Sequence, residues 1–216
     1  MPDRIASSRK YKVTNLKIIG EINGTDLRMI REMAGHNFNG NSTDGKLSVL
    51  DLSEAKIVKG GDCYYNDNYS NYYTYNNVIG SYAFKGCSGL TSLTLPAGIT
   101  SIGESAFGGC SGLTSIYVYA EKVPKIGWDV FVGVDAKKCT VYVPMGTRDD
   151  YCASDFGDYF ENIVEFEATG IDKTTTSTDV EEVVRYSVNG QRLSAPTKGL
   201  NIVKYSDGSV KKVAIR

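Results

Sequence analysis

The chain has 216 residues, of which 41% are apolar and 23% charged, enough for one or two folded domains with an apolar core. Its 24 basic and 25 acidic residues leave a net charge of −1, and so weak a basic field argues against nucleic acid as the main partner. No apolar run approaches the roughly 20 residues that a transmembrane helix requires. We therefore expect neither a nucleic-acid partner nor a transmembrane segment.

The first residues are polar and lead directly into a predicted strand. The opening MPDRIASSRKYKV lacks the apolar region of a signal peptide. We expect residues 1–10 to be a disordered start or the remnant of a longer N-terminus, and residues 11–166 to form the main folded domain.

The segment TDLRMIREMA predicts a helix that covers the N-terminal end of this domain. Thr25 or Asn23 is suited to cap it. Its inward stripe would consist of Leu27, Ile30 and Ala34.

A sequence motif then occurs twice, in YAFKGCSGLTSL and in SAFGGCSGLTSI. Every apolar position recurs after 23 residues: Ile79, Phe84, Cys87, Leu90, Leu93 and Leu95 correspond to Ile102, Phe107, Cys110, Leu113, Ile116 and Val118. A third, divergent copy runs from Ile126 through Phe131 to Val143, with an offset of 24 and then 25, and it places Lys138 where Leu90 stands. Two earlier segments, VTNLKI and LSVLDLS, share the strand pattern.

A period of 20–30 residues with strands of the form apolar-x-x-apolar-x-apolar is typical of a leucine-rich repeat solenoid. One such coil cannot bury its own apolar face, whereas stacked coils bury each other's. We predict a ladder of five strands in coils of 23–25 residues, in which Phe84, Phe107 and Phe131 stack in one internal column.

The stretch IGSYAFKGCSGLTSLTLPAGITSIGESAFGGCSGLTSI closely resembles the BspA-like leucine-rich repeats of surface proteins from gut and oral anaerobic bacteria. The likeness extends more loosely over residues 11–166. Members of that family are secreted or exposed at the cell surface, and several are adhesins that bind host proteins. The resemblance thus implies a secreted or surface location and a binding role.

The segment after Pro144 predicts the second end cover. Thr147 is suited to cap a short helix. Four apolar side chains are available to cover the last coil: Tyr151, Phe156, Phe160 and Ile163.

Residues 167–182 are polar and threonine-rich, which predicts a linker. Beyond it, Asn189-Gly190 and Asp207-Gly208 suit two-residue hairpin turns, so residues 183–216 should form a small antiparallel β unit. This tail resembles the last strands of C-terminal modules, some of them sorting signals, on secreted proteins of the same bacteria. Only the final third of such a sorting domain is present.

Groups that could carry catalysis are scarce. His36 is the one histidine, and the surrounding AGHNFNG favours an exposed loop position. Five cysteines without a CxxC pair predict neither a disulfide framework nor a zinc site. Cys87 and Cys110 share one repeat position, close enough for a disulfide, but small buried side chains are the favoured interpretation, as they are for Cys139 and Cys152. We expect no cofactor.

The most unusual stretch is DCYYNDNYSNYYTYNN, residues 62–77, with six tyrosines and five asparagines among sixteen residues. It fits either an exposed recognition loop, since tyrosine gives rigid amphipathic contact area, or a loop folded back over its own coil. The tyrosines concerned are Tyr64, Tyr65, Tyr69, Tyr72, Tyr73 and Tyr75. Asp62, Asp67 and Asn68 weakly suggest calcium but lack the order of a calcium loop.

The outward face of the ladder is the second candidate binding surface. Alternation along the strands places one residue of each coil in a single outward row: Lys17, Asp51, Thr94, Tyr117 and Tyr142. A neighbouring row is mostly small: Asn15, Val49, Ser92, Ser115 and Thr140. Ordinary β-surface composition would also give such rows.

Together these patterns predict a non-enzymatic secreted or surface protein that uses the ladder face and the tyrosine loop to bind a host or bacterial surface protein. A carbohydrate-binding accessory module, in which Tyr117 and Tyr142 stack on sugar rings, is the first alternative. A structural spacer and a cysteine-dependent enzyme are the others.

Overall fold

The structure is a computed structural model that describes residues 5, 9–167, 182–187, 192–193, 199–205 and 210–215. The chain divides into two compact units, Met1–Ala168 and Thr169–Arg216. Residues 1–4 and 6–8 of the predicted start segment (1–10) and residues 168–181 of the predicted linker (167–182) lie outside the described residues, as do both predicted hairpin turns.

The described part of the first unit is rich in strands and contains few helices. Its strands are β1 (Asn15–Ile22), β2 (Val49–Ile57), β3 (Gly60–Asn66), β4 (Asn71–Thr74), β5 (Val78–Ile79), β6 (Ser92–Leu95), β7 (Ser101–Ile102), β8 (Ser115–Val118), β9 (Lys125–Ile126), β10 (Thr140–Pro144) and β11 (Ile163–Phe166). Its helices are α1 (Gly24–Met33), α2 (Arg148–Cys152) and α3 (Asp155–Tyr159), preceded by a 3₁₀ turn over Lys10–Lys12.

A parallel sheet of six strands, in the order β1-β2-β6-β8-β10-β11, forms one side of this unit. The five predicted strands are all present and pair in the register that the repeat implies. One inward column shows this register: Leu16, Leu50, Leu93, Ile116, Val141 and Ile163. The sixth strand, β11, was not predicted, because Ile163 was expected to belong to an end cover.

A second parallel sheet, β5-β7-β9, contains two residues from each of three coils. Between the sheets, backbone hydrogen bonds join neighbouring coils directly. The Phe84 amide donates to the Ala106 carbonyl at 2.7 Å, and the Phe107 amide donates to the Val130 carbonyl at 3.0 Å. The repeated sequence motif therefore corresponds to a repeated structural unit.

The phenylalanine column predicted from the period is confirmed. The ring centroids of Phe84 and Phe107 lie 5.6 Å apart at an interplanar angle of 1°, and those of Phe107 and Phe131 lie 5.7 Å apart at 6°. All three side chains are buried. Gly86 and Gly109, with φ of 82° and 76°, turn the chain after each phenylalanine in a conformation that favours glycine.

In the divergent third coil, the alignment of Lys138 with the buried Leu90 is wrong by one residue. Lys138, aligned with Leu90, points to solvent and pairs with Asp135 at 2.9 Å. Cys139 fills the core in its place and is fully buried. The inserted residue shifts the chain by one position, and burying a small apolar thiol costs far less than burying an ammonium group.

Helix α1 matches the predicted helix and is capped by Asn23. The Asn23 side chain accepts from the Thr25 amide at 3.0 Å, and Asp26 accepts from the Asn23 amide at 3.0 Å. Leu27, Ile30 and Ala34 are buried as predicted.

Helices α2 and α3 place buried aromatic rings against the last coil. Phe156 and Phe160 lie 5.8 Å and 4.9 Å from Phe131, measured between ring centroids. The prediction that Thr147 caps α2 through its side chain is wrong, because its hydroxyl donates to the Pro144 carbonyl at 2.7 Å instead.

The described residues of the second unit form an antiparallel sheet in the order β13-β12-β14-β15. Its strands are β12 (Glu182–Ser187), β13 (Arg192–Leu193), β14 (Gly199–Tyr205) and β15 (Val210–Ile215). The antiparallel pairing agrees with the predicted hairpins.

Candidate binding surface

The predicted outward row lies on the six-stranded sheet, with one residue on each of five adjacent strands. Strand pairing joins its members in sequence: Lys17 to Asp51, Asp51 to Thr94, Thr94 to Tyr117 and Tyr117 to Tyr142. The second row is also in register, from Asn15 to Thr140. On β11 the first row continues to Val164, whose side chain is 40% exposed.

The N-terminal end of the row is charged and internally paired. The Lys17 ammonium group lies 2.8 Å from Glu54 and 3.5 Å from Asp51. Glu54 and Asp51 together raise the pKa of Lys17, which stays protonated. Exposed pairs of this kind contribute little to stability, so these charges stay available to a partner.

The C-terminal end of the row is aromatic. The rings of Tyr117 and Tyr142 stack with centroids 4.3 Å apart and an interplanar angle of 8°. Phe166 meets Tyr117 edge-on at 5.8 Å and Tyr119 at 4.9 Å. We call Tyr117, Tyr119, Tyr142 and Phe166 the aromatic patch. Burial is the main cause that raises the pKa of Tyr117, and the neighbouring Tyr142 raises it further. The Tyr117 hydroxyl therefore stays a donor at neutral pH.

Two members of the aromatic patch were missed by the sequence analysis. Tyr119 follows Tyr117 by two residues and so lies on the same side of the chain, a signal that strand alternation could have revealed. Phe166 had no such signal, because its position depends on the unpredicted strand β11.

The tyrosine-rich stretch is not a loose recognition loop, because β3 and β4 pair as a hairpin that packs against α1. Tyr64 and Tyr65 are only 1% and 8% exposed, so the prediction that they contact a ligand is wrong. The Tyr64 hydroxyl donates to the Ser81 carbonyl at 2.9 Å, and the Arg31 guanidinium lies 4.7 Å from the Tyr65 ring centroid. Both rings cover the first full coil, as the alternative interpretation of this stretch proposed.

The other hairpin tyrosines differ in exposure. Tyr72 is half-buried and donates to Asp67 at 2.9 Å, whereas Tyr69, Tyr73 and Tyr75 are 96%, 47% and 58% exposed. In the described part of the chain, no ring contact links this hairpin to the aromatic patch. The structure therefore places the predicted tyrosines in two separate clusters.

The two carboxylates that weakly suggested calcium have local partners. The Asp67 carboxylate accepts from the amides of Tyr69 and Ser70, and these hydrogen bonds lower its pKa. The Asp62 carboxylate accepts from the Thr25 hydroxyl at 3.1 Å. The described residues contain no group of three or more histidine, cysteine or acidic side chains that could hold a metal ion.

His36 is half-buried rather than exposed, which corrects the predicted loop position. Its ring packs so closely on Gly86 that a β-carbon there would lie 3.1 Å from Nε2. Burial is the main cause that lowers the pKa of His36, and the positive charge of the nearby Arg31 lowers it further. The ring is therefore neutral at physiological pH. These contacts give His36 a packing role between α1 and the first full coil.

The cysteines fall into two groups by burial. Cys87, Cys110 and Cys139 are fully buried with free thiols, in agreement with a packing role. Cys152, also predicted to pack, is exposed, because the short helix α2 turns it toward solvent. Cys63 is half-buried in the hairpin.

We expect rapid thiol labelling of the native protein at Cys152, with Cys87, Cys110 and Cys139 reacting only on unfolding. Burial raises the pKa of Cys87 and of Cys139 to about 11, and that of Cys110 well above its ordinary value, so each stays a protonated, shielded thiol. Mass spectrometry of the protein, labelled briefly with and without denaturant, provides the measurement. Rapid native labelling of a buried thiol would contradict this and would favour the cysteine-dependent enzyme.

These observations define a class: a strand-rich repeat protein whose coils stack in parallel register. Residues 77–175 match, in six copies, the family model described as BspA type leucine rich repeat region. That segment therefore carries BspA-type leucine-rich repeats. Strands β1 and β2 precede the matched residues and continue the same sheet.

Repeats of this family generally mediate protein–protein interaction or adhesion, are typically non-enzymatic and commonly occur at the cell surface. A comparison with curated proteins gives no match. Of the helices in the described residues, none is long and apolar enough to cross a membrane.

Proposed function

We propose that this protein is a non-enzymatic, secreted or surface-attached binding protein whose aromatic patch anchors a host or bacterial surface protein. Residues 11–166 would act as one solenoid, with α1 covering its N-terminal end and α2 and α3 covering its C-terminal end. The family's general role in protein interaction and adhesion supports this proposal. So does the shape of a stacked-coil ladder, since such faces commonly bind ligands.

The observation that carries the proposal is the stacking of Tyr117 and Tyr142 on the outer side of the sheet. Neither ring fills the core, which lies on the opposite side around Ile116 and Val141. The two rings are held in place by each other and by Phe166. A binding side chain that is already ordered loses little conformational entropy when a partner docks, and tyrosine is enriched among residues that dominate binding energy.

The ring geometry favours a protein partner over a glycan. Side chains of a sheet stand roughly perpendicular to it, and the 4.3 Å separation leaves no room for a ligand between the rings of Tyr117 and Tyr142. The stack covers the facing side of each ring, so the patch presents ring edges and hydroxyl groups between the two tyrosines. Stacking on a sugar would be limited to the outer faces of the two rings, whereas a protein interface can use edges, hydroxyls and a small-residue surround such as Ser115 and Thr140.

The rest of the outward row would form the rim of the interface. Thr94 adjoins Tyr117, and the paired charges of Lys17 and Asp51 lie beyond it. Rim charges mainly affect association rate and orientation. Tyr69, Tyr73 and Tyr75 are candidates for a second, separate contact on the hairpin.

We expect the double variant Tyr117→Ala/Tyr142→Ala to weaken partner binding about thirtyfold or more, since truncating a central anchor costs about 2 kcal/mol. Folding should change little, because a cross-strand aromatic pair contributes roughly 0.2–1 kcal/mol. The partner comes from a panel of immobilised matrix and cell-surface proteins. Surface plasmon resonance then gives affinity, and circular dichroism gives Tm.

Val132→Ala is the control, because it truncates a side chain that is 52% exposed and belongs to neither tyrosine cluster. A control that binds like the parent while the double variant fails supports the proposal. Unchanged binding by the double variant would place the interface elsewhere. Binding confined to a glycan array would favour the carbohydrate-binding alternative, and binding in neither screen would favour the spacer.

A further inference from the structure

Trp128, the one tryptophan of the chain, lies at the surface with 86% of its side chain exposed. It follows β9 and borders a concave pocket of about 450 Å³, which we call the Trp128 pocket. The other main lining residues are Ile126, Asp129, Asp155, Asp158 and Tyr159. Tryptophan is highly buried on average, so a single tryptophan this exposed beside a pocket calls for an explanation.

The repeat itself does not require a tryptophan at this position. The equivalent residue of the preceding coil is Glu104, since the Tyr82 amide donates to the Glu104 carbonyl as the Ser105 amide donates to the Trp128 carbonyl, both at 2.9 Å. A β-carbon on Gly127 would lie 2.7 Å from the Glu104 amide nitrogen, so this turn packs directly on the coil before it. The backbone under Trp128 is therefore fixed while its ring faces solvent.

The pocket carries three carboxylates without a counter-charge. Asp155 and Asp158 lie on α3, Asp129 adjoins the tryptophan, and all three are exposed or half-exposed. Among the described residues no ion pair involves any of them, and no basic side chain lines the pocket. Tyr159 is held by an edge-on contact with Phe131, at 5.5 Å between ring centroids.

We propose that the Trp128 pocket binds a cationic side chain, an arginine guanidinium in preference to a lysine ammonium, presented by a basic segment of a protein partner. A guanidinium group stacks on an indole face by cation–π attraction, and carboxylates at its edge accept its N–H groups. An exposed ring face with three uncompensated negative charges complements such a group in shape and charge. A neutral sugar has no need of these charges.

This site is separate from the proposed interface on the six-stranded sheet. The Trp128 pocket adjoins β9, a strand of the three-stranded sheet, and no contact between described rings links it to the aromatic patch. The inference therefore stands whether or not Tyr117 and Tyr142 bind a partner.

Because Trp128 is the sole tryptophan, intrinsic fluorescence reports on this pocket directly. The probe is a short glycine-spaced peptide with two arginines, compared with the same peptide carrying citrulline, which keeps the shape and removes the charge. We expect the arginine peptide to change Trp128 emission saturably, the citrulline peptide to bind about tenfold more weakly or not at all, and added salt to weaken the arginine peptide.

The decisive comparison is between two variants of equal charge. Asp129→Asn/Asp158→Asn neutralises two pocket carboxylates, and asparagine tolerates the positive φ of 54° at position 129. Asp149→Asn/Asp150→Asn neutralises two exposed carboxylates on α2, outside the pocket. We expect the first variant to bind the arginine peptide several-fold to about tenfold more weakly and the second to bind it like the parent, with equal circular dichroism spectra.

Three results would overturn the proposal. Equal weakening by both variants would mean only diffuse attraction to net charge, and equal binding of the citrulline peptide would remove the need for a cation. An emission change produced by a neutral oligosaccharide but not by the arginine peptide would make the pocket a glycan site.

Discussion

Phe107→Ala should lower the free energy of unfolding by about 3–5 kcal/mol, the usual cost of truncating a buried phenylalanine. Phe107 is fully buried and is the one ring that contacts both other members of the column. Its loss would leave a cavity between three coils. Because each coil is stabilised mainly by its neighbours, unfolding should remain a single transition of the repeat unit. Urea denaturation followed by circular dichroism measures both quantities.

Val132→Ala provides the control from the coil of Phe131. Val132 is 52% exposed, so its truncation should change the unfolding free energy by no more than about 0.5 kcal/mol. A loss under about 1 kcal/mol for Phe107→Ala, or two separate unfolding transitions, would contradict a column that connects the coils.

The regular part of the fold could be predicted from sequence because its period is strict. An offset of 23 residues fixes which side chains are neighbours in adjacent coils, so the period alone pairs Phe84 with Phe107. The same logic placed Tyr117 beside Tyr142 on the outer face. Where the period changes, near Lys138 and Cys139, the alignment was displaced by one residue.

The features that sequence could not give depend on contacts far apart along the chain. Strand β11 lacks the repeated sequence motif. It forms because it pairs with the edge of β10 that no other described strand occupies. Tyr64 and Tyr65 belong to a stretch whose composition suits both exposed and buried tyrosine, and only packing against α1 decided between the two. Composition alone also gave no reason to single out Trp128.

Arg31 is the feature of the fold least expected from its sequence, since it is a fully buried arginine within an otherwise ordinary helix. Its guanidinium donates to the carbonyls of Tyr82 and Ala83 at 2.7 and 2.8 Å and lies over the Tyr65 ring. Burial lowers the pKa of Arg31 from a very high ordinary value, so the group stays charged at neutral pH. One side chain thus joins α1, the hairpin and the first full coil.

We expect Arg31→Ala to lower the free energy of unfolding by about 3–5 kcal/mol, through a cavity and through lost hydrogen bonds. Arg31→Met keeps most of the volume and removes the donors and the positive charge, including its cation–π contact with Tyr65. The Tyr82 carbonyl would keep the Lys85 amide as a donor, whereas no other hydrogen bond to the Ala83 carbonyl is seen among the described residues. Leaving one buried acceptor unpaired should cost Arg31→Met about 1–3 kcal/mol.

Arg28→Ala is the matched control on the same helix. Arg28 is half-buried and lies over Phe38 at 3.7 Å, a single cation–π contact whose loss should cost about 1 kcal/mol or less. The three variants differ in a way that separates two physical accounts of Arg31. If Arg31→Met is as stable as the parent or more stable, the cost of desolvating the guanidinium outweighs its hydrogen bonds, as happens at some buried charges. If the free energy of unfolding falls most in Arg31→Ala, less in Arg31→Met and least in Arg28→Ala, the hydrogen bonds from Arg31 to the carbonyls stabilise the junction between helix, hairpin and repeats.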